Sequence, residues 1–394
     1  MLKSLKNEDW VATLIGAVIL LLVIIVPTFM KNDAAMAVII GLLAFAGYLF
    51  MGNKNKTGFI LSFIVILVLA YLAEFITNIP AIKKTGFESV FFAVAIGLLI
   101  SNTIGLPKWM SPAVRSEYYI KAGLVILGSG ILFGEILKAG GLGMIQAVVV
   151  VLSVWYFSFW VATKMFRIDS EMSMLLSSAV SICGVSAAIA TSGAMKGDTK
   201  KLSFVISLVL IIAIPMMYLL PYIAKWIGLS QEVSGAWLGG TIDTTAAVVA
   251  SGKFIGDIAE QYSVIIKSAQ NVLLGVAAFF ISIYWSYKGT NNEIRPSGKV
   301  LWERFPKFVI GFMLASLVFS SAFDAGTAKE LSGIAKGARS LLFSLAFVCI
   351  GLETDFRYIF KKENAKYIWS FLTAQTFNIF LTLLVAWLLF SKLS

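Results

Sequence analysis

The chain has 394 residues, of which 59% are hydrophobic and only 13% are charged. Soluble domains are about 45–50% apolar and about 25% charged, so this composition excludes a soluble enzyme. The formal net charge is +11. In membrane proteins such an excess of Lys and Arg lies mainly in cytoplasmic loops, so it does not indicate a nucleic-acid partner. Histidine is absent, which excludes histidine-based zinc sites and Ser–His triads.

Apolar runs long enough to cross a bilayer recur along the whole chain. A transmembrane helix needs roughly 20 apolar residues. Thirteen candidate spans are found, at residues 11–30, 34–51, 57–77, 89–106, 119–137, 139–163, 172–195, 202–224, 231–252, 261–287, 306–323, 338–358 and 367–391. Alternating runs of barrel-strand length are absent, so the sequence predicts an all-α polytopic membrane protein. The distribution of Lys and Arg among the loops favours a cytoplasmic N-terminus.

Four of these segments differ from ordinary spans. Ala122–Gly134 and Ser340–Leu352 have only 13 residues each between charged neighbours. Val233–Gly252 and Met172–Met195 carry Gly, Ser and Thr through their centres. Such residues also mediate helix packing in membranes. In clusters, however, glycine beside hydroxyl residues lets a helix unwind, as it does at the substrate sites of secondary transporters.

Several acidic residues lie within or next to these unusual segments. A carboxylate inside the membrane costs at least about 2–3 kcal/mol, so Asp243, Glu353 and Asp355 are expected to face a cavity or a partner. Glu353 and Asp355 are also compatible with an interfacial position, because basic residues follow them immediately.

Other polar residues form stripes on two helices. Lys267, Gln270 and Asn271 share one helical face, although Lys267 could also snorkel to the interface. Gln375 and Asn378 form a second stripe, and interhelical hydrogen bonds would explain them equally well.

The thirteen segments divide into three extra helices (1–85) and two five-helix repeats (86–228 and 229–394). An odd number of helices inverts the second repeat relative to the first. The fourth helix of each repeat then contains Ser181–Ala188 or Val348–Asp355, each with a cysteine at or next to a glycine. A rival division has two six-helix halves around one linker segment. Both predict an inverted-repeat transporter with crossed, broken helices.

Four short motifs are more specific than this pattern. They are Ile-Cys-Gly-x-Ser-Ala at 182–187, Val-Val-Ala-x-Gly at 248–252, Pro-x-Phe-Val-x-Gly-Phe at 306–312 and Ile-Gly-Leu-x-Thr-Asp at 350–355. Through them the chain, from about Phe91 to its C-terminus, resembles the YeiH-like membrane proteins, a bacterial family labelled sulfate exporters. The resemblance implies the architecture of bile-acid symporters and cation/proton antiporters, and a multi-pass protein of the bacterial inner membrane.

The sequence departs from the family pattern at charged positions. Where the family has His followed by an acid, this chain has Asp243 and Thr244, and the family glutamine before Val-Val is Ala247. The family lysine is kept as Lys267, but the arginine three residues later is Gln270. Loss of an imidazole and a guanidinium weakens the case for sulfate. The carboxylate of Asp243 could hold a coupling cation.

The predicted site combines hydroxyl groups, amides and one lysine for a small anion with carboxylates for a coupling ion. The substrate-binding residues are predicted to be Ser181, Cys183, Gly184, Ser186, Thr241, Thr244, Thr245, Lys267, Gln270 and Asn271. The coupling-ion residues are predicted to be Asp243, Glu353, Thr354 and Asp355. No resident cofactor or metal is expected beyond Na⁺ or H⁺ as the coupling ion. The expected partners are the lipid bilayer and the anion, and a homo-oligomer is compatible with the sequence.

Two transport functions follow from this site. The first is a secondary active transporter of a sulfate-, sulfonate- or carboxylate-like anion, coupled to Na⁺ or H⁺. The alternative is a monovalent cation/proton antiporter of the same fold, in which Lys267 is the counter-charge of the carboxylates. A membrane enzyme is disfavoured because no histidine is available to activate Cys183 or Ser186. A channel is disfavoured because no filter motif is found.

Overall fold

The computed structural model describes residues 6–79, 82, 89–195, 197–287, 302, 305–354, 356 and 364–392. Within these residues the chain forms helices and no strand. The all-α polytopic class predicted from the sequence is therefore confirmed.

The described helices follow one another in this order along the chain. The first are α1 (Glu8–Ile25), α2 (Pro27–Met30), α3 (Asp33–Phe50), α4 (Lys56–Thr77), α5 (Ser89–Thr103), α6 (Ser116–Leu127) with a 3₁₀ turn (Gly128–Gly130), and α7 (Phe133–Trp160) with a π turn (Val161–Met165). Next come α8 (Ser170–Ser178) with a π turn (Ala179–Cys183), α9 (Val185–Met195), α10 (Thr199–Trp226), α11 (Gln231–Thr241), α12 (Thr245–Ile255) and α13 (Asp257–Tyr287). The last are α14 (Lys307–Ser321), α15 (Ala325–Glu353) and α16 (Ala365–Phe390).

Asparagine side chains fix the starts of the first long helices. Asn32 Oδ1 accepts a hydrogen bond from the Ala35 N–H at 3.0 Å, and Asn55 Oδ1 accepts one from the Gly58 N–H at 3.0 Å. These bonds satisfy amide groups that the first turn of a helix leaves without a partner. The N-termini of α3 and α4 are thus encoded locally.

Eight helices of the described chain are long and apolar enough to cross a membrane. The longest of them contain 25 to 30 residues, more than the roughly 20 that a bilayer requires. Shorter apolar helices include the two halves of the interrupted segment α8–α9. The count of thirteen crossings and the repeats 1–85, 86–228 and 229–394 stay predictions.

The chain forms two compact units. The first unit consists of Met1–Ile136 and Pro306–Asp355. In it, α5 and α15 are in close contact. A Cβ atom added to Gly97 would lie only 2.5 Å from the Val348 carbonyl oxygen. Two glycines, Gly97 and Gly351, therefore allow the two backbones to touch.

The second unit consists of Leu137–Phe305 and Phe356–Ser394. It contains both interrupted segments, α8–α9 and α11–α12, together with the long helices α10, α13 and α16. Its apolar core lies between α8, α10 and α16 and includes Leu175, Val209 and Phe371.

The prediction of an unwound break within Val348–Asp355 is wrong as far as Glu353, because α15 continues without interruption from Ala325 to Glu353. Its start is fixed by Asp324, whose Oδ1 accepts hydrogen bonds from two amide groups. Gly351 serves helix contact there rather than unwinding. Asp355 lies outside the described residues. By contrast, the interruptions predicted in Met172–Met195 and Val233–Gly252 are confirmed.

Candidate functional site

The breaks of the two interrupted helices meet in the second unit. The first break is at Gly184, which has φ 54° and ψ −102°. The second comprises Ile242, Asp243 and Thr244, between α11 and α12. A Cβ atom on Gly184 would lie 3.1 Å from the Asp243 carbonyl oxygen and 3.2 Å from its Cβ atom. The two breaks are therefore in van der Waals contact.

The local sequence explains why the chain breaks there. Only glycine adopts the backbone angles of Gly184 without strain. Before it, a π turn ends with the Gly184 N–H bonded to the Ala179 carbonyl oxygen at 3.0 Å. In the second segment, extended backbone at Ile242 ends α11, and Thr244 Oγ1 caps α12 by accepting a hydrogen bond from the Ala247 N–H at 3.3 Å.

Side chains of α16 bind the carbonyl ends of both broken helices. Gln375 Nε2 donates to the Thr241 carbonyl oxygen at 2.9 Å. Asn378 Nδ2 donates to the carbonyl oxygens of Val180 and Thr241, both at 3.2 Å, and so connects the two segments. Thr382 Oγ1 donates to Asn378 Oδ1 at 2.7 Å and fixes the orientation of that amide.

Side chains of α13 complete these caps. Lys267 is only 1% exposed, and its Nζ donates to the Ile182 carbonyl oxygen at 2.7 Å and to Gln270 Oε1 at 3.0 Å. Gln270 Nε2 donates in turn to the Gly240 carbonyl oxygen at 2.9 Å. The ammonium group therefore lies at the break and does not snorkel to the interface.

The carboxylate of Asp243 has a different environment. Asp243 is 1% exposed, and in the described part of the chain neither of its oxygens accepts a hydrogen bond. The ammonium group of Lys267 attracts this carboxylate electrostatically. A buried carboxylate of this kind requires compensation by a proton, a cation or a positive side chain.

The helices α9 and α12 both begin at the breaks, so the backbone amide groups of their first turns lie there. A helix leaves the N–H groups of its first turn without intrahelical acceptors. The first helical hydrogen bond of α9 runs from the Ala188 N–H to the Gly184 carbonyl oxygen. The N–H groups of Val185, Ser186 and Ala187 come before it in the chain. Both helix dipoles thus have their positive ends at the breaks.

The other predicted substrate residues also lie in this unit. Ser181 and Thr241 are buried, and among the described residues neither hydroxyl oxygen has a hydrogen-bond partner. Thr245 Oγ1 lies 3.5 Å from Asn271 Nδ2. Cys183 belongs to a small apolar cluster, so its environment is that of a packing residue.

Glu353 and Thr354 belong to the first unit, whereas Asp243 belongs to the second. Glu353 accepts hydrogen bonds from the Ser116 N–H at 3.0 Å and from Ser116 Oγ at 2.6 Å, and so caps α6. Thr354, which follows the last residue of α15, donates from Oγ1 to the Ile350 carbonyl oxygen at 2.7 Å. The predicted coupling residues therefore belong to different units of the chain, and a coupling role for Glu353 stays a prediction.

The hydrogen bonds that α16 donates to both broken segments are not predicted by the sequence. The sequence predicts Gln375 and Asn378 only as a polar stripe, and it assigns no role to Thr382. The spacing of 375, 378 and 382, which places all three on one helical face, was the available signal.

Comparison with known proteins identifies the family. A family model described as conserved hypothetical protein 698 matches residues 57–386. The chain belongs to this family. No solved structure matches the chain.

Named relatives agree with this family. A UPF0324 membrane protein of Rhodopirellula baltica is 39% identical over 366 residues, which cover 90% of this chain and 66% of that protein. A UPF0324 membrane protein of Nitratidesulfovibrio vulgaris is 38% identical over 368 residues, covering 90% and 63%. The UPF0324 inner membrane protein YeiH of Escherichia coli O6:H1 is 27% identical over 300 residues, covering 73% and 82%. The chain spans about two thirds of the length of the first two relatives.

These relatives confirm the predicted resemblance to YeiH-like proteins. Together with the eight apolar helices, they identify a multi-pass protein of the bacterial inner membrane, surrounded by lipid.

Proposed function

We propose that the protein is a secondary active transporter that moves a small anion of the sulfate, sulfonate or carboxylate class by alternating access, with H⁺ or Na⁺ as the coupling ion. The observation that carries this proposal is the contact between two broken helices at Gly184 and Asp243. In secondary transporters, such breaks line the substrate and ion sites near the bilayer midplane.

The two kinds of helix end at the breaks favour an anion. The carbonyl ends already accept hydrogen bonds from Lys267, Gln270, Gln375 and Asn378. The amide ends of α9 and α12 instead direct backbone donors and the positive end of a helix dipole towards the break. The N-terminal end of a helix can bind an anionic group through its backbone N–H groups and its dipole alone.

The side chains around the breaks add complementary groups. The buried ammonium of Lys267 supplies a full positive charge next to the Ile182 carbonyl. The hydroxyl groups of Ser181 and Thr241 can donate to an oxyanion. A small anion with several oxygen atoms therefore fits this set of donors better than an uncharged solute does.

The alternative function, a monovalent cation/proton antiporter, is favoured by one observation. The buried carboxylate of Asp243 accepts no hydrogen bond from the described residues and could bind a transported cation. In that case Lys267 would be its counter-charge, and the amide ends of α9 and α12 would have no ligand. We prefer the anion transporter because it uses both the amide ends and the carboxylate.

The test is a thermal-shift titration of the purified protein with sulfate, methanesulfonate, acetate and succinate. A ligand that binds only the folded protein raises its stability by about 2.7 kcal/mol when present at 100 times its Kd. We expect at least one anion to give a shift that saturates with concentration. Monovalent cations without such an anion should give a smaller shift.

A variant distinguishes specific binding from general salt effects. Sulfate stabilises most proteins because it is excluded from their surfaces, but this effect does not saturate. The saturating shift should disappear in Gly184→Ala and persist in Gly228→Ala, a glycine of positive φ with open space around it. A saturating shift with Na⁺ or K⁺ alone would support the antiporter instead, and no saturating shift with any anion would contradict the proposal.

A further inference from the structure

We propose that the ion coupled to anion transport is a proton bound by Asp243, and that the ammonium group of Lys267 takes the place of a sodium ion. This inference rests on the transport function proposed above. It starts from the position of Lys267, which is on the long helix α13 yet reaches the carbonyl end of the broken segment before α9.

The contacts of Lys267 are those that a sodium ion would make. In secondary transporters, the carbonyl ends of half-helices coordinate Na⁺. Here Lys267 Nζ donates to the Ile182 carbonyl oxygen at 2.7 Å and to the amide oxygen of Gln270 at 3.0 Å. An ammonium group and Na⁺ carry the same charge, so Lys267 already supplies the monovalent positive charge at this end.

The neighbouring carbonyl groups are also satisfied by the chain. Gly240 accepts from Gln270, and Thr241 accepts from Gln375 and Asn378. A sodium ion would have to compete with these donors at the carbonyl ends of both segments. The arrangement therefore needs no further cation there.

Asp243 is the group suited to bind a proton. Both of its oxygens are buried without a hydrogen bond from the described residues. Lys267 on α13 is the titratable group that acts on Asp243, and the facing segment presents Gly184, which has no side chain. Protonation can therefore change the charge beside the break without disrupting a hydrogen bond.

Charge balance couples this proton to the anion. With both side chains charged, Asp243 and Lys267 cancel, and an anion would approach an unprotonated carboxylate. A proton on Asp243 leaves the charge of Lys267 and the two amide ends to attract the anion. Proton and anion then strengthen each other's binding by the same factor.

The experiment measures the Kd of sulfate and methanesulfonate between pH 5.5 and 8.5, in N-methylglucamine and in sodium buffers. We expect equal affinities in the two buffers, and a Kd that rises by up to about tenfold per pH unit as one proton is lost. Of the two anions, the one that binds the wild-type protein more tightly should bind Asp243→Asn with an affinity that does not depend on pH. A sodium requirement, or unchanged pH dependence in Asp243→Asn, would overturn this inference but not the transport function. No binding in any buffer would contradict the transport function itself.

A second variant tests the role of Lys267 directly. Lys267→Gln removes the ammonium group and leaves oxygen atoms at the break, so Na⁺ should now raise its melting temperature more than N-methylglucamine does. The matched control is Lys225→Gln, because Lys225 Nζ also donates to a carbonyl oxygen, that of Phe254 at 2.8 Å, but at an exposed position. An identical response to Na⁺ in wild type and both variants would refute the replacement of Na⁺ by Lys267.

Discussion

Gly184 is the residue on which the geometry of the breaks depends most. Its φ of 54° lies in the range that side chains rarely adopt, and an added Cβ atom would lie 2.6 Å from Val209 Cγ1. Backbone strain of this kind costs about 1–3 kcal/mol, before any steric clash is added. Substitution should therefore move the backbone away from Asp243.

For Gly184→Ala we expect a lower melting temperature and loss of saturable anion binding, measured on the same purified sample. Gly228→Ala is the matched control, since Gly228 also has a positive φ, 71°, but has no atom within 4 Å of the added Cβ. It should lose some stability and retain binding. Equal loss of binding in both variants would show that backbone strain alone, and not the close contact at the break, is responsible.

At the residue scale, the positions of the two breaks could be predicted. Glycine among hydroxyl groups indicated the break at Gly184, and a carboxylate in an apolar run marked Asp243 as a residue that needs compensation. The donor that binds each carbonyl group could not be predicted. Lys267 and Ile182 are 85 positions apart, and only the packing of α13 against the broken segment brings them together.

Among the helices, α16 holds the two broken segments in a fixed relation. The single amide group of Asn378 donates to Val180 and to Thr241, which belong to different segments. Thr382 orients that amide from one turn away. We infer that Thr382 contributes to the site through Asn378.

Thr382→Val should weaken anion binding severalfold, because it removes the hydroxyl group that fixes Asn378 while preserving the shape of the side chain. Asn378→Leu should weaken binding more strongly. Thr376→Val is the control, since the hydroxyl group of Thr376 donates to the Leu372 carbonyl oxygen of its own helix. Both affinities can be measured by titration calorimetry, and equal values for Thr382→Val and Thr376→Val would remove Thr382 from this role.

The contact between α15 and α6 leads to a separate prediction. Glu353 accepts from Ser116 through both of its carboxylate oxygens. Glu353→Gln keeps only one acceptor oxygen, so it should cost about 1–2 kcal/mol and lower the melting temperature. Thr354→Val, which removes a local bond to the Ile350 carbonyl oxygen at the end of α15, should have a smaller effect. If Glu353→Gln also alters the pH or Na⁺ dependence of anion binding, the predicted coupling role is supported.

The prediction of helices was reliable where a single segment contains its own signals. Apolar length alone placed candidate spans at 34–51 and 57–77, close to α3 and α4. The error at Val348–Asp355 arose because a glycine near polar residues also occurs where two helices touch. Gly351 allows α15 to contact α5 at Gly97, and no local pattern distinguishes that use from unwinding.

For the molecule as a whole, α1 is bound to a part of the chain that is distant in sequence. The family match begins at residue 57, after α1. Nevertheless Asp9 Oδ1 lies 2.7 Å from Lys121 Nζ, with side chains only 19% and 13% exposed. The Lys307 N–H also donates to Asp9 Oδ2 at 3.0 Å. We infer that α1 is an integral part of the first unit.

Asp9→Asn should destabilise the protein by about 1–3 kcal/mol, less than the loss of a fully buried ion pair because some solvent reaches these groups. Adding Lys121→Met to Asp9→Asn should not recover that loss, because Lys121 Nζ also lies 3.5 Å from Glu117 Oε2 and its removal takes this partner from the Glu117 carboxylate. Glu330→Gln, which breaks the exposed pair with Lys31 at 3.1 Å, should change stability very little. A large effect of Glu330→Gln alone would indicate a general charge effect and would contradict this explanation.

Composition and motifs were sufficient to predict the fold class, the membrane location and the family. The division into two units could not be predicted, because each unit combines two stretches of the chain with a stretch of the other unit between them. Hydropathy reports which residues avoid water, but it does not report which helices pack together.

The hydrogen bonds that close the carbonyl ends of the broken helices have one more consequence. Three of the four donor side chains, Gln270, Gln375 and Asn378, are amides, which keep the same protonation at every physiological pH. The framework around the break should therefore keep its shape while the charge of Asp243 changes. A proton on Asp243 can therefore change the electrostatic potential at a bound ligand without breaking the hydrogen bonds that hold the surrounding helices.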